Sequence, residues 1–179
     1  MKSMGRMVSV WSSVGKTGKT VLAYLLALKL SDFTDNKIRI LLCCAGGKSG
    51  ELRRIFSSTP PLVEMEDIVN IGAVSAGERL NLYGMLTRRN NVYFIGSLRS
   101  GPAFISRYSD AYRSLAHEFK SIFDLVIVDT PSGPEPENLL GRLLLEESDC
   151  VVNLLPQDPS LLEGKLFKTG REAFWILNR

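Results

Sequence analysis

Cysteine and histidine are scarce in this 179-residue chain, and their placement argues against two kinds of site. The three cysteines, Cys43, Cys44 and Cys150, lack the spacing of a metal site, and the first two lie side by side within an apolar run, as buried thiols often do. The single histidine, His117, falls on the polar side of a predicted helix, with no nucleophile beside it in sequence. Cysteine usage of this kind fits a reducing cytoplasm.

Long apolar runs and clustered charge are also lacking. The longest apolar run, residues 21–28, is far shorter than the roughly 20 residues that a transmembrane helix needs, and no targeting segment stands out. The 22 basic and 19 acidic residues are scattered and leave a net charge of +3. This distribution predicts no dedicated nucleic-acid surface and leaves open only weak, nonspecific DNA contact.

The apolar runs that are present alternate between strand-like and helix-like patterns. With 45% hydrophobic residues, the chain can bury the core of one globular domain over residues 1–179. The predicted strands are residues 7–11, 38–44, 92–95, an apolar run ending at Asp129, 150–156 and 174–178. One predicted helix begins near Thr20, and the others cover residues 51–56, 63–89, 104–122, 137–147 and 160–173. This alternation predicts an α/β, doubly wound, mostly parallel sheet with helices on both faces.

A glycine- and lysine-rich loop separates the first predicted strand from the first helix. Gly18-Lys19-Thr20 is the second half of a phosphate-binding loop, in which backbone N–H groups and the lysine hold phosphates and the threonine ligates magnesium. The full pattern has glycine five residues before Gly18, where this chain has Ser13. The alternative is a turn that only caps a core helix. We predict that nucleotide contacts come from Ser13, Gly15, Lys16, Thr17, Gly18, Lys19 and Thr20.

A second set of candidate residues follows the strand that ends at Asp129. The carboxyl ends of parallel strands are where open α/β sheets bind ligands, so Asp129 is predicted to hold magnesium together with Thr20. Gly133 lies in the next turn, where its N–H could meet a terminal phosphate. The alternative is that Asp129 only caps this turn.

These segments resemble the ParA/MinD group of ATPases, which have a deviant Walker A loop. The similar blocks are SSVGKTGKTVLAYLLALKL, FDLVIVDTPSG, ESDCVVNLLPQDPSLLEG and ILNR, and together they span almost the whole chain. The resemblance implies a P-loop NTPase fold, Mg-ATP as the ligand and ATP-driven homodimers. It also implies that Lys19 is the phosphate lysine, Asp129 the Walker B acid and Asn178 the residue that reads adenine.

The chain departs from the family pattern at three places. The signature lysine belongs at Val14, whereas this chain has Lys16 two residues later, so Lys16 is the candidate for a second charge near the γ-phosphate or across a dimer. The family places a water-orienting aspartate after its second strand, and the stretch CCAGGKSG has no acid. Family members also continue past the adenine asparagine, so we expect the domain to be incomplete at its C-terminus.

The resemblance implies a slowly hydrolysing switch that positions a macromolecular assembly through a protein partner still to be identified. The loop and the variant stretch after the second strand are similar to the TadZ/CpaE-like branch linked to pilus or secretion-system localisation. Alternatives are a plasmid or chromosome partitioning ATPase, a noncatalytic scaffold that keeps only the fold, and a tyrosine autokinase, for which the sequence lacks a tyrosine-rich tail. We expect a cytoplasmic protein, with any membrane or polar recruitment occurring through partners.

Overall fold

The computed structural model describes residues 4–45, 63–71, 83–96, 102–132, 139–156, 158 and 172–177. The described strands are β1 (Arg6–Trp11), β2 (Ile40–Cys44), β3 (Thr87–Arg89), β4 (Val92–Gly96), β5 (Leu125–Asp129), β6 (Cys150–Leu155) and β7 (Glu172–Leu177). The described helices are α1 (Lys19–Phe33), α2 (Met65–Ile71), α3 (Pro102–Arg107), α4 (Ser109–Ile122) and α5 (Leu139–Glu147).

The seven strands form one sheet in the order β3-β4-β2-β5-β1-β6-β7. Every neighbouring pair is parallel except β3 and β4. The central strands are apolar runs because helices cover both of their faces, and all five residues of β2 are buried. The predicted α/β, mostly parallel sheet is confirmed.

Separate hydrophobic clusters lie on the two faces of the sheet. On one face, α1 packs through Ala23 and Ala27 against a cluster that includes Ile40 and Leu42 of β2. On the other face, α2, α4 and α5 cover the alternate residues of the same strands, such as Leu41 and Cys43. Because β2 alternates between the two clusters, the sheet is doubly wound, as predicted.

Helix α1 is buried on one side only. Its buried residues follow a spacing of four, and they are Lys19, Ala23, Ala27 and Ser31. Val21 and Leu25 are instead 60% and 46% exposed, and Phe33 is 86% exposed. The sequence of this helix is apolar on almost every side and predicts a buried helix, yet full burial is confined to this face. Larger residues such as Leu22 and Leu26 are only partly buried against the same cluster.

The predicted helix over residues 104–122 is two helices, α3 and α4, separated at Tyr108. The backbone of Tyr108 has φ −112° and ψ 24°, outside the helical region, although its N–H still donates to Phe104 at 3.0 Å. The apolar stripe was predicted correctly, since Tyr112, Leu115 and Phe119 are buried.

The predicted helix over residues 63–89 is wrong at its C-terminal end. Helix α2 ends at Ile71, and Thr87–Arg89 forms β3, antiparallel to β4. Asn90 connects the two strands with φ +55°, a conformation that asparagine tolerates better than most residues. Residues 72–82, which lie within this prediction, are outside the described part of the chain.

Two further predictions concern the C-terminal part of the chain. The predicted helix over residues 160–173 lies outside the described residues except for Glu172 and Ala173, which belong to β7. The apolar run over residues 174–178 predicts that Trp175 packs in the interior, yet Trp175 lies in the edge strand β7 and is 48% exposed. The predicted helix over residues 51–56 is not described. Within the described ranges, no helix combines the length and hydrophobicity needed to cross a membrane.

Candidate functional site

The loop between β1 and α1 ends at Gly18, which is the N-cap of the helix. Gly18 has φ +82°, a left-handed conformation that glycine adopts without steric cost. No side chain caps the helix, and its first turn contains no acidic residue. The N-terminus of α1 therefore presents N–H groups and the positive end of the helix dipole, which together favour an anion.

Thr20 and Asp129 meet beside this helix terminus. The Thr20 hydroxyl donates to Asp129 Oδ2 at 2.7 Å, although the two residues are 109 positions apart. Asp129 ends β5, the strand between β1 and β2, and its backbone is in register with Val10 and Cys44. The sheet thus brings the two predicted magnesium residues together.

The Asp129 carboxylate is buried and only partly satisfied. Asp129 is 5% exposed, and its Oδ1 atom has no hydrogen-bond partner within the described residues. Burial raises the pKa of the Asp129 carboxyl, while the Thr20 hydrogen bond, the Lys19 charge and the Cys44 hydrogen bond act in the opposite direction. A buried carboxylate oxygen without a donor is an arrangement that a cation would complete.

Lys19 lies on the same side of the site. It is 7% exposed, and its ammonium group donates to the hydroxyl of Ser132, three residues beyond Asp129. Thr130 anchors this segment, because its hydroxyl and its N–H both donate to the Val10 carbonyl, at 2.7 and 3.2 Å. The segment after β5 is thereby tied to the end of β1, next to the loop.

The remaining loop residues divide into buried and exposed members. Ser13 and Thr17 are 5% and 6% exposed, and Ser13 Oγ has no hydrogen-bond partner in the described part of the chain. Gly15 and Lys16 are exposed, and Lys16 has φ +60°. Lys16 therefore lies on the outer side of the loop, while Lys19 lies inside the site.

Two residues at this site did not stand out in the sequence. Ser132 contacts Lys19, and Cys44 places its thiol 3.6 Å from Asp129 Oδ2. Cys44 could have been found only from the register of β2 against β5, whereas Ser132 belongs to the DTPSG block that the sequence does show. Gly133 and Asn178, both predicted to contact nucleotide, lie outside the described residues.

The donor set fits a hard cation better than a transition metal. Within the described ranges, no group of three or more His, Cys, Asp or Glu side chains could hold a metal by itself. Thr20 and Asp129 supply a hydroxyl and a carboxylate, and Mg²⁺ commonly takes one or two such oxygens together with water and phosphate oxygens. The residues therefore fit Mg²⁺ bound along with a phosphate ligand.

Comparisons with known proteins identify similar structures but no sequence family. No family model matches the chain, and no curated protein matches it. The MinD septum site-determining protein from Pyrococcus horikoshii OT3, complexed with Mg-ADP, is 18% identical with a TM-score of 0.70, over 97% of this chain and 70% of that one. A ParA family ATPase from Chlorobium tepidum TLS is 23% identical with a TM-score of 0.70, over 97% and 74%.

The BceF tyrosine kinase domain is also similar, at 16% identity and a TM-score of 0.63, over 95% of this chain and 68% of that one. At these identities the likeness concerns the fold and leaves the activity open. The chain has the α/β fold that is seen in the MinD and ParA-family ATPase structures.

Proposed function

We propose that this chain is a ParA/MinD-type switch that binds Mg-ATP at the end of β1 and associates into a dimer when ATP is bound. The observation that carries the proposal is the 2.7 Å contact between Thr20 and Asp129 at the uncapped N-terminus of α1. It supports the phosphate-loop interpretation over a simple helix cap, because a cap would not require a buried carboxylate with a partnerless oxygen.

Each residue of the site has a distinct part in this proposal. The helix terminus and Lys19 bind the phosphates, and Thr20 and Asp129 hold the cation. Mg²⁺, when bound, would offset charge on the terminal phosphates. Ser132 keeps the Lys19 ammonium group inside the site through the hydrogen bond between them.

Hydrolysis is expected to be slow. The stretch CCAGGKSG, where the family pattern has a water-orienting aspartate, contains no acidic residue. Loss of a positioning or general-base group commonly costs about 10²-fold or more in rate. Slow turnover suits a switch whose ATP-bound form must persist while it contacts a partner.

Within this proposal, the switch positions a macromolecular assembly, and that assembly is a pilus or secretion system. This choice follows the similarity of the loop to the TadZ/CpaE-like branch. A partitioning ATPase would need a basic DNA-binding surface, which the scattered charges of the sequence do not supply. A scaffold without nucleotide chemistry would retain the fold but bind no ATP.

Sedimentation velocity in Mg-ATP, Mg-ADP and no nucleotide tests the switch. We expect a shift toward dimer in Mg-ATP alone. Lys16→Ala should retain most ATP binding but lose the shift, because the exposed Lys16 side chain can reach a neighbouring subunit. Lys29→Ala, an exposed lysine on α1 away from the loop, is the matched control and should behave like the parent.

The same mass in all three conditions would contradict ATP-driven association. If the parent dimerises and Lys16→Ala matches it in both association and turnover, the proposed role of Lys16 is wrong while the switch stands. Turnover of several per second by the parent would contradict slow hydrolysis.

A further inference from the structure

A cavity of about 460 Å³ lies at the edge of the sheet opposite to the phosphate loop. The residues that line this cavity, which we call the arginine cavity, are Arg39, Tyr83, Gly84, Leu86, Arg88, Tyr93, Ile122 and Phe123. Arg39 immediately precedes β2, and Phe123 lies two residues before the start of β5. The cavity therefore lies at the amino ends of these strands. About 17 Å of β2 therefore separates it from the row that contains Cys44 and Asp129.

Two arginines, Arg39 and Arg88, line this cavity. Arg88 lies opposite Tyr93 in the β3–β4 pair, and it is exposed, with no carboxylate partner in the described part of the chain. The Arg39 Nε atom is 3.6 Å from Asp124 Oδ2, an ion pair that is too long for a hydrogen bond, and the Arg39 side chain is 40% exposed. Among the described residues, the lining thus contains two arginines and no acidic residue, and Asp124 is the one carboxylate paired with either arginine.

The rest of the lining is aromatic and firmly packed. Tyr93 and Phe123 have ring centroids 5.3 Å apart, and Tyr83 packs edge-on against Phe123 with centroids 6.4 Å apart. Tyr83, Leu86 and Phe123 are all buried, so these walls are fixed by the core behind them. Gly84 is part of the lining, and apart from its chain neighbours no described atom lies within 4 Å of the position that a Cβ would occupy there.

We propose that the arginine cavity binds a small anionic molecule that carries a phosphate or carboxylate group on a flat aromatic body. Arginine forks match the planar, bidentate geometry of these anions, and aromatic walls accept a ring. The volume lies within the range of about 300–1,000 Å³ that is typical of small-molecule sites, which favours such a ligand over a protein surface. The site is separate from the proposed Mg-ATP site and does not depend on it.

Protein NMR with phenyl phosphate as the probe tests this proposal. At the efficiency typical of drug-sized ligands, a probe of this size should bind with a Kd of about 4 mM. We expect saturable shifts of the Arg88, Tyr93 and Phe123 amides, with weaker effects from inorganic phosphate and from phenol. The amides of residues 15–20 report separately on any binding of the probe at the phosphate loop, so the two sites are distinguishable.

Adjacent arginines provide a matched pair of variants. Arg88→Gln should weaken the affinity of the cavity for phenyl phosphate about tenfold or more, because a charge-assisted contact is lost. Arg89→Gln should leave it unchanged, since Arg89 lies on the opposite face of the sheet and its Nη1 is 3.2 Å from the Tyr24 hydroxyl. Gly84→Leu should block the cavity while leaving both arginines in place, and it introduces no left-handed strain because Gly84 does not have a positive φ.

Absence of shifts at Arg88, Tyr93 and Phe123 up to about 40 mM probe, roughly ten times the expected Kd, would overturn the proposal. Equal affinity for inorganic phosphate and phenyl phosphate would overturn the aromatic part of the assignment. Equal effects of Arg88→Gln and Arg89→Gln would show that the binding reflects general positive charge, and would overturn the site.

Discussion

Asp129 combines a functional position with an unfavourable environment. It is almost fully buried, and the donors found in the described ranges leave one carboxylate oxygen without a partner. Burial raises the pKa of its carboxyl despite the opposing effects of Thr20, Lys19 and Cys44. The residue therefore destabilises the protein at neutral pH when no cation is bound, which is a common cost at functional sites.

Asp129→Asn is expected to raise the thermal midpoint of the ligand-free protein at pH 7. Because the pKa of Asp129 is higher in the folded state than in the unfolded chain, the folded state holds the proton more tightly. This tighter proton binding stabilises the folded state below the unfolded pKa of about 3.9, and the stabilisation is lost as the pH rises through the folded pKa. The midpoint difference between variant and parent should therefore grow with rising pH and then level off.

Scanning calorimetry from pH 4 to 8 without nucleotide or magnesium measures this difference. Asp32→Asn, at an exposed acid of α1, is the control for a general effect of charge. A variant that is less stable than the parent at pH 7 would contradict the argument that burial dominates at Asp129.

At the residue scale, the sequence indicated which residues lie together at the candidate site, but not all of the side chains that contact them. That Lys19, Thr20 and Asp129 lie together could be predicted, because phosphate and magnesium binding require these residue types at strand and helix ends; their binding roles stay predictions. The contact of Cys44 with Asp129 could not be predicted, because it depends on the register of two strands whose contacting residues are 85 positions apart in the chain. Gly133 and Asn178 stay predictions.

At the element scale, α1 connects the site to the core through a narrow face of small residues. Ala23 and Ala27 are fully buried against the sheet, and Lys19 extends the same face into the site. Small side chains allow the helix to lie close to β1 and β5, which places Thr20 within reach of Asp129. Packing along this face therefore fixes the position of the helix N-terminus.

Ala27→Leu is expected to lower the free energy of unfolding by about 1–3 kcal/mol, because added methylenes cannot fit a closely packed face. Lys29→Leu adds the same side chain at an exposed position of the same helix and should change stability by less than about 0.5 kcal/mol. Urea denaturation monitored by circular dichroism gives both values. Equal effects of the two substitutions would show that the buried face of α1 is not closely packed.

Helix and strand boundaries could be predicted where the apolar periodicity was strong. The predictions failed where the local backbone conformation determined the boundary. The stripe of α4 is clear in the sequence, but the break at Tyr108 is a backbone feature with no proline or glycine to mark it. β3 is only three residues long, too short for a period to show, and its turn depends on the positive φ of Asn90. Trp175 was misplaced because strand order, and hence the edge of the sheet, cannot be read from an apolar run.

At the scale of the whole molecule, the parallel sheet separates two chemically different edges. The carboxyl ends of β1, β2 and β5 converge on the phosphate loop, Thr20 and Asp129. The amino ends carry the arginine cavity. The central claim concerns the first edge, where residues from distant parts of the sequence would act as a single Mg-ATP site.

Isothermal titration of the protein with ATP, with and without Mg²⁺, tests this claim most directly. The parent should bind ATP saturably and more tightly with Mg²⁺, Lys29→Ala should match it, and Lys19→Ala should lose at least about tenfold in affinity, since one charge-assisted phosphate contact is removed. Unchanged ATP affinity in Lys19→Ala, or no saturable binding by the parent, would contradict the phosphate-loop interpretation.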